Sequence, residues 1–340
     1  MSTTIKDLAR ESGVSASTVS YVLNNGPRPV SPQIKEKVLA TAARLNYHPN
    51  AVARGLSRKR MNTLGVVYTY WDAEITDYYF ISILHGILGA CMRHGQATTL
   101  FTSHVWSAVE DDLSLFADGR CDGLIIVAPP TSCTVMDTLA ARKVPCIVVS
   151  DTLPSRNVSS VDIDNSLAAY QITQYLLTLG HRRIAMLCGE DNQRSTLLRA
   201  EGFCRAFSDA WQSEDKYQII PGRYCFQSGY ESAVKVLDLP ENRRPTALCC
   251  ANDAIAVGAL KALMDRGVKV PEEISVTGFD DTPLSATAPV PLTSVRQPFG
   301  KIGMRAAEIL LSRIEGDETH YRELLPVEIV ERDSTAPPMQ

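Results

Sequence analysis

From about residue 63 to residue 330, short apolar stretches alternate with amphipathic helical ones, and this alternation constrains the fold more than any other feature. Residues 64–68, 97–101, 123–127, 146–149, 184–188, 247–251 and 274–278 are strand-length and largely apolar. Between them lie helical repeats; Phe80, Ile83, Leu84, Ile87 and Cys91 mark one 3.6-residue face. Strands apolar on both faces and separated by helices predict parallel sheets covered on both sides. The alternation runs once to about residue 160 and then restarts. Two doubly wound lobes are expected, with a cleft where the carboxyl ends of the strands gather loops around a ligand.

The first sixty residues follow a different rule. Ten basic residues face three acidic ones, a formal +7 in a chain whose total is −4, so the remainder carries −11. A small basic module on an acidic body points to a polyanion partner for the module alone. Thr4 and Asp7 form a capping-box start to a first helix carrying Ile5, Leu8 and Ala9, and Gly13 supplies a tight turn. Ser15 is a good N-cap for a second helix with Val19, Val22 and Leu23 inward, ended by Asn24-Asn25-Gly26-Pro27. Ser31-Pro32 opens a third helix carrying Ile34, Val38, Ala42 and Leu45. Three short helices with a glycine turn between the first two describe a helix-turn-helix.

The residues are more specific than their spacing. Ile5-Lys6-Asp7-Leu8-Ala9, Gly13-Val14-Ser15, Thr18-Val19-Ser20 and Val22-Leu23-Asn24 closely resemble the headpiece of the lactose/purine repressor (LacI/GalR) family. Residues 47–56 resemble that family's hinge helix. Gly180-His181-Arg182-Arg183, Asn252-Asp253-Ala254, Gly278-Phe279-Asp280-Asp281 and Leu292-Thr293-Ser294-Val295 extend the likeness through the body. The resemblance implies an all-α headpiece over residues 1–49, a hinge helix and linker over 50–61, and an α/β periplasmic-binding-protein-like core over 62–340. It puts 62–162 and 292–320 in the first lobe. Residues 163–291 and 321–340 go to the second, with a last strand near 324–330.

The same resemblance assigns roles. Ala16, Ser17 and Tyr21 take base-reading positions at the start of the second helix; Thr18, Ser20 and Asn24 face phosphates, and Thr4 and Ser15 join the DNA surface. Residues 50–56 are too few for an independently stable helix, and Gly55 weakens it by about 1 kcal/mol relative to Ala. Folding is therefore expected on DNA, where Asn50, Ala51 and Arg54 join the interface and Leu56 is the wedge between base steps of the minor groove. In the cleft, Asp280, Arg199 and Asn252 are the expected polar effector contacts, and Tyr224 and Phe299 the aromatic walls. Asp151 and Trp71 are further candidates, in the loops after the fourth and first strands.

These residues imply an allosteric DNA-binding repressor, controlled by a small effector between the lobes and acting as a homodimer on a palindromic double-stranded operator. Carboxylate, guanidinium, amide and aromatic groups suit a sugar best; nucleobases, nucleosides and sugar phosphates stay open. The chain stops soon after Val330 without an apolar heptad tail, which favours the dimer. No metal spacing, Gly-rich nucleotide loop or nucleophile elbow is present, so neither cofactor nor enzymatic activity is expected. A sugar carrier without gene regulation is disfavoured by the basic headpiece. Nine cysteines in apolar settings, no signal core and no membrane-length run give a cytoplasmic expectation.

Overall fold

A computed structural model describes residues 3–24, 29–48, 55, 60–69, 78–103, 116–150, 158–210 and 217–339. The chain divides into two compact units, Met1–Asn62 and Thr63–Gln340.

In the first unit, α1 (Ile5–Ser12), α2 (Ala16–Asn24) and α3 (Pro32–Arg44) enclose Leu8, Val19, Val22, Val38 and Ala42. Each start follows local chemistry. The Thr4 hydroxyl accepts from the Asp7 amide at 3.3 Å, while the Asp7 carboxylate accepts from the Thr4 amide at 3.0 Å. Ser31 caps α3 with Pro32 at the first helical position, where its missing N–H costs nothing. Gly13 closes α1 at φ +65°, a left-handed conformation that a Cβ would strain.

In the second unit, β1 (Thr63–Thr69), β2 (Ala97–Ser103), β3 (Gly123–Val127), β4 (Cys146–Val149) and β5 (Ser159–Ile163) belong to a six-stranded parallel sheet in the order β11-β5-β4-β3-β1-β2. Its sixth member, β11, is Arg322–Leu325. The helices α4 (Tyr78–Arg93) and α5 (Val135–Ala141) connect this first lobe. The second lobe begins with α6 (Asn165–Thr178) and runs β6 (Ile184–Leu187), α7 (Arg194–Ala210), β7 (Tyr217–Ile220), α8 (Phe226–Leu237), β8 (Ala247–Cys250), α9 (Asp253–Asp265), β9 (Ser275–Thr277) and α10 (Pro283–Thr287). Its sheet is parallel, ordered β7-β6-β8-β9. The chain recrosses through β10 (Ser294–Arg296) to α11 (Phe299–Ile314) in the first lobe. Both β3 and β4 are buried at every position, as strands covered on both faces must be.

The final strand differs from the expectation. Residues 322–325 do not join the second lobe; β11 pairs with β5 in the first, Leu324 opposite Asp162. The Arg305 guanidinium of α11 grips the Glu323 carboxylate through Nε and Nη2, both at 2.9 Å, and holds the strand there. Pro326 then ends the ladder, because it has no N–H to donate. A separate strand, β12 (Glu328–Val330), pairs antiparallel with β10, so the second and third crossings between lobes are hydrogen-bonded to each other. Only residues beyond it return to the second lobe, where the Val276 amide donates to the Ser334 carbonyl at 2.8 Å.

Glycines bring helices of both lobes into close approach. A Cβ on Gly303 of α11 would lie 2.0 Å from the Ile83 carbonyl oxygen of α4, and one on Gly202 of α7 would lie 2.0 Å from the Ser166 carbonyl oxygen of α6. Glycine lets each pair of backbones touch.

Candidate functional sites

In the helical unit, Ser15, Ala16 and Ser17 are exposed at the amino end of α2, and Thr18, Ser20, Tyr21 and Asn24 are partly exposed along the same helix. Several of these groups also serve the helix itself. Ser15 Oγ accepts from the Thr18 amide at 3.1 Å and lies 2.8 Å from the hydroxyls of both Ser17 and Thr18. Asn24 Nδ2 donates to Ser20 Oγ at 3.2 Å. Thr4 is committed to its capping box, donating to Asp7 Oδ2 at 2.7 Å. Most of these hydroxyls are thus engaged within the helix or its cap, while Ser15, Ala16 and Ser17 remain exposed to solvent. Asn50, Ala51, Arg54 and Leu56 lie outside the described residues, as do Trp71 and Asp151.

The core site gathers around Arg199. This side chain projects from α7, is 5% exposed, and stacks its guanidinium 3.7 Å from the centre of the Phe279 ring. Its Nε donates to Asn165 Oδ1 at 2.9 Å, and its Nη1 donates to the Ala251 carbonyl. That same Nη1 lies 3.8 Å from Asp280 Oδ1. Asp280 is also buried and adopts φ +115°, where most L-residues are strained. Backbone bonds on both sides maintain it: its amide donates to the Val295 carbonyl at 2.8 Å, and its carbonyl accepts from Gln297 at 3.2 Å. Gln297 Nε2 adds a 2.6 Å bond to Asp280 Oδ1. A charged pair this deep costs several kcal/mol of desolvation per ion unless it is well hydrogen-bonded, and here both members are.

Tyr224 completes this wall. Its ring lies against Gly189, where a Cβ would come within 2.3 Å of it, and its centre is 5.8 Å from the Arg199 guanidinium carbon. Its hydroxyl accepts from Thr196 at 3.0 Å and sits 3.0 Å from Ser195 Oγ, and burial raises its pKa. Phe299, at the start of α11, meets Tyr79 edge to face at 5.3 Å, and the Tyr79 hydroxyl bonds Ser150 at the end of β4. Phe299 thus belongs to a first-lobe aromatic group, while Arg199, Asp280 and Tyr224 form one second-lobe group. Asn252 stands beside the latter but spends its Oδ1 capping α9, accepting from the Ile255 amide at 2.8 Å.

Sequence reasoning missed four participants: Asn165, Phe279, Gln297 and Tyr79. Phe279 lies inside the Gly278-Phe279-Asp280-Asp281 motif, which signals it. The other three carry no local signal, since each acts through a partner distant in sequence.

Beneath the site, Asp253 is buried and accepts from the Thr282 amide at 2.6 Å, the Thr282 hydroxyl at 2.9 Å and Ser294 Oγ at 2.7 Å. Burial nevertheless pushes its carboxyl up to about 6. Its neighbour Asp281 feels burial too, but bonds from Ser285 (2.8 Å), Arg332 (2.6 Å) and Arg296 (2.6 Å) outweigh it and hold this carboxyl below the usual range. Among the described residues no group of three or more metal-ligating side chains occurs, and no helix is long and apolar enough to cross a membrane.

A helix-turn-helix unit followed by a two-lobed core, with a buried charged pair where its strands end, defines an effector-binding DNA regulator. The chain belongs to the lacI family of bacterial regulatory proteins: residues 4–50 match that family, and residues 173–335 match the periplasmic binding protein-like domain. It is 34% identical over 336 residues to the HTH-type transcriptional repressor PurR of Haemophilus influenzae (strain PittEE), covering 97% of this chain and 98% of that one. Its structure resembles the lac repressor dimer bound to operator and the anti-inducer ONPF, with TM-score 0.88, 29% identity and coverage of 99% and 100%. It also resembles the complex of transcriptional regulator CelR with cellobiose, with TM-score 0.74, 28% identity and coverage of 98% and 99%.

Proposed function

We propose that this protein is a cytoplasmic homodimeric repressor that binds a palindromic operator through α2 and responds to a sugar held between the core lobes. The observation that carries the effector half is the buried Arg199–Asp280 pair between the rings of Phe279 and Tyr224. A carboxylate beside a guanidinium offers acceptors and donors to vicinal hydroxyls, and aromatic faces pack against the apolar side of a sugar ring. The cellobiose complex of a similar regulator supports this class. Asp280, Arg199 and Tyr224 bind the effector from the second lobe and Phe299 from the first. Asn252 contributes its amide nitrogen, and Asp151 and Trp71 complete the assignment.

On the DNA side, Ala16, Ser17 and Tyr21 read bases, with Thr4, Ser15, Thr18, Ser20 and Asn24 positioned toward phosphates. Asn50, Ala51, Arg54 and Leu56 form the minor-groove element. Support for the homodimer comes from α4, whose Ile81, Leu88 and Met92 form an exposed apolar stripe at helical spacing, and from Leu100, exposed on the edge strand β2. Similarity to a repressor dimer bound to operator points the same way.

The test combines DNA selection with an effector screen. The full chain should select a roughly palindromic duplex from a random pool, and a sugar from a panel that also holds sugar phosphates, nucleosides and nucleobases should change its affinity. A sugar at 100 times its Kd should stabilise the protein by roughly 2.7 kcal/mol, and Asp280→Asn should abolish that gain. Failure to select any duplex would overturn the regulator; a hit confined to nucleobases would overturn the sugar.

A further inference from the structure

The effector pair is not isolated in its pocket. Asp162 lies in β5 at the first crossing between lobes, and its Oδ2 accepts from Asn165 Nδ2 at 3.2 Å. Asn165 then accepts from Arg199, Arg199 faces Asp280, and Asp280 accepts from Gln297 at the second crossing. All five side chains are less than a tenth exposed.

The chemistry fixes the direction of each link. Asp162 and Asp280 accept, and Arg199 can only donate. The amide of Asn165 must therefore turn its nitrogen toward Asp162 and its oxygen toward Arg199. Gln297 must turn its nitrogen toward Asp280. Opening any link leaves a buried polar group unmatched, so the relay favours opening or holding as a whole. Its two ends sit on chain segments that join the lobes, where the backbone must take up any change of lobe angle. A backbone ladder reinforces the second end: residues 277 and 280 pair in parallel with residues 293 and 296.

We propose that Asn165 and Gln297 are positioning residues that fasten the Arg199–Asp280 pair to two of the crossings, making pair and hinge one cooperative unit. This rests on the reading of that pair as the effector site. Its test needs no effector, which allows the two ideas to be tested separately. Three of the links are ordinary buried hydrogen bonds and the fourth, Arg199 to Asp280, is an ion pair at 3.8 Å; the continuity from crossing to crossing through the effector pair is what assigns the role.

Hydrogen exchange of the full, effector-free chain, read by mass spectrometry, decides the matter. Gln297→Met keeps the side-chain volume and removes the donor. It should accelerate exchange about tenfold over residues 294–299 and also over the distant first crossing, residues 162–168, while β3 and β8 stay unchanged. Asn165→Asp, which sets a carboxylate against Asp162, should accelerate residues 278–282 and 294–299 in return. Acceleration confined to the peptide bearing the substitution would overturn the proposal, as would uniform acceleration throughout the chain. Should Asn165→Asp fail to fold, the pattern in Gln297→Met decides alone. An effector whose stabilisation survives Asp280→Asn would leave these exchange results intact and sink only the site assignment.

Discussion

Gly202 offers a substitution in which two physical effects pull in opposite directions. Replacing it with Ala in the middle of α7 should stabilise the helix by about 1 kcal/mol, since glycine is a poor helix former. Against that, the new Cβ would lie 2.0 Å from the Ser166 carbonyl oxygen and 3.0 Å from the Tyr170 amide nitrogen of α6. Both are backbone atoms, so no side chain can swing aside, and the helices must separate by more than about 1 Å to restore van der Waals contact. Overpacking of this kind costs about 1–3 kcal/mol. The same movement stretches the 2.9 Å bond between Arg199 and Asn165, leaving buried polar groups unmatched for about 1–3 kcal/mol more. The expected net result for Gly202→Ala is a loss of roughly 1–5 kcal/mol in urea-induced unfolding, with weakened effector binding. Gly300→Ala is the control: its Cβ meets nothing within 4 Å, so it should be neutral or slightly stabilising. A midpoint for Gly202→Ala equal to or above wild type would refute the reasoning about backbone contact.

Two pH effects should run in opposite directions. Asp253 has a folded value near 6 against 3.8 for the free group, so the stability it confers is complete below 3.8 and is lost as pH rises through 6. The stability difference between wild type and Asp253→Asn should therefore shift against wild type by roughly 3 kcal/mol between acid and neutral pH; a flat difference would contradict this. His181 is pushed below 6.5 by burial and is held neutral, its Nε2 donating to the Ala336 carbonyl at 2.9 Å. Its contribution is present above 6.5 and fades as pH falls below that value, so wild type should lose ground to His181→Gln on acidification, measured by thermal unfolding. Arg332→Met removes one of the two guanidinium groups that compensate Asp281 and should cost about 2–3 kcal/mol; unchanged stability would show that Arg296 suffices.

Much of the architecture was legible because it depends on periodicity. Strands 123–127 and 146–149 are buried on both faces and apolar, and the cap residues Thr4, Ser15 and Ser31 act within one helical turn. By contrast, β5 was absent from the strand candidates because Ser159, Ser160 and Asp162 disguise a wholly buried strand. Its polar positions are hydrogen-bonded: Ser159 accepts from the Tyr321 amide, and Asp162 accepts from Asn165 and from the Ile163 amide of its own strand. The assignment of residues 322–325 to the wrong lobe has a related origin. Nothing local reveals that Glu323 will meet Arg305, eighteen residues earlier in the chain.

The sequence by itself determined the helix-turn-helix and the parallel two-lobed core, because apolar periodicity and capping are local properties, and its family resemblance offered Asp280, Arg199 and Asn252 as polar effector contacts with Tyr224 and Phe299 as aromatic walls. Tertiary structure decided what those residues are joined to. Asn252 became a helix cap, Phe299 joined the first-lobe aromatics, and Asn165 and Gln297 bonded Arg199 and Asp280. The physical reason is that a buried polar group must find a partner wherever folding places one, and the chain crosses between the lobes three times before those partners meet.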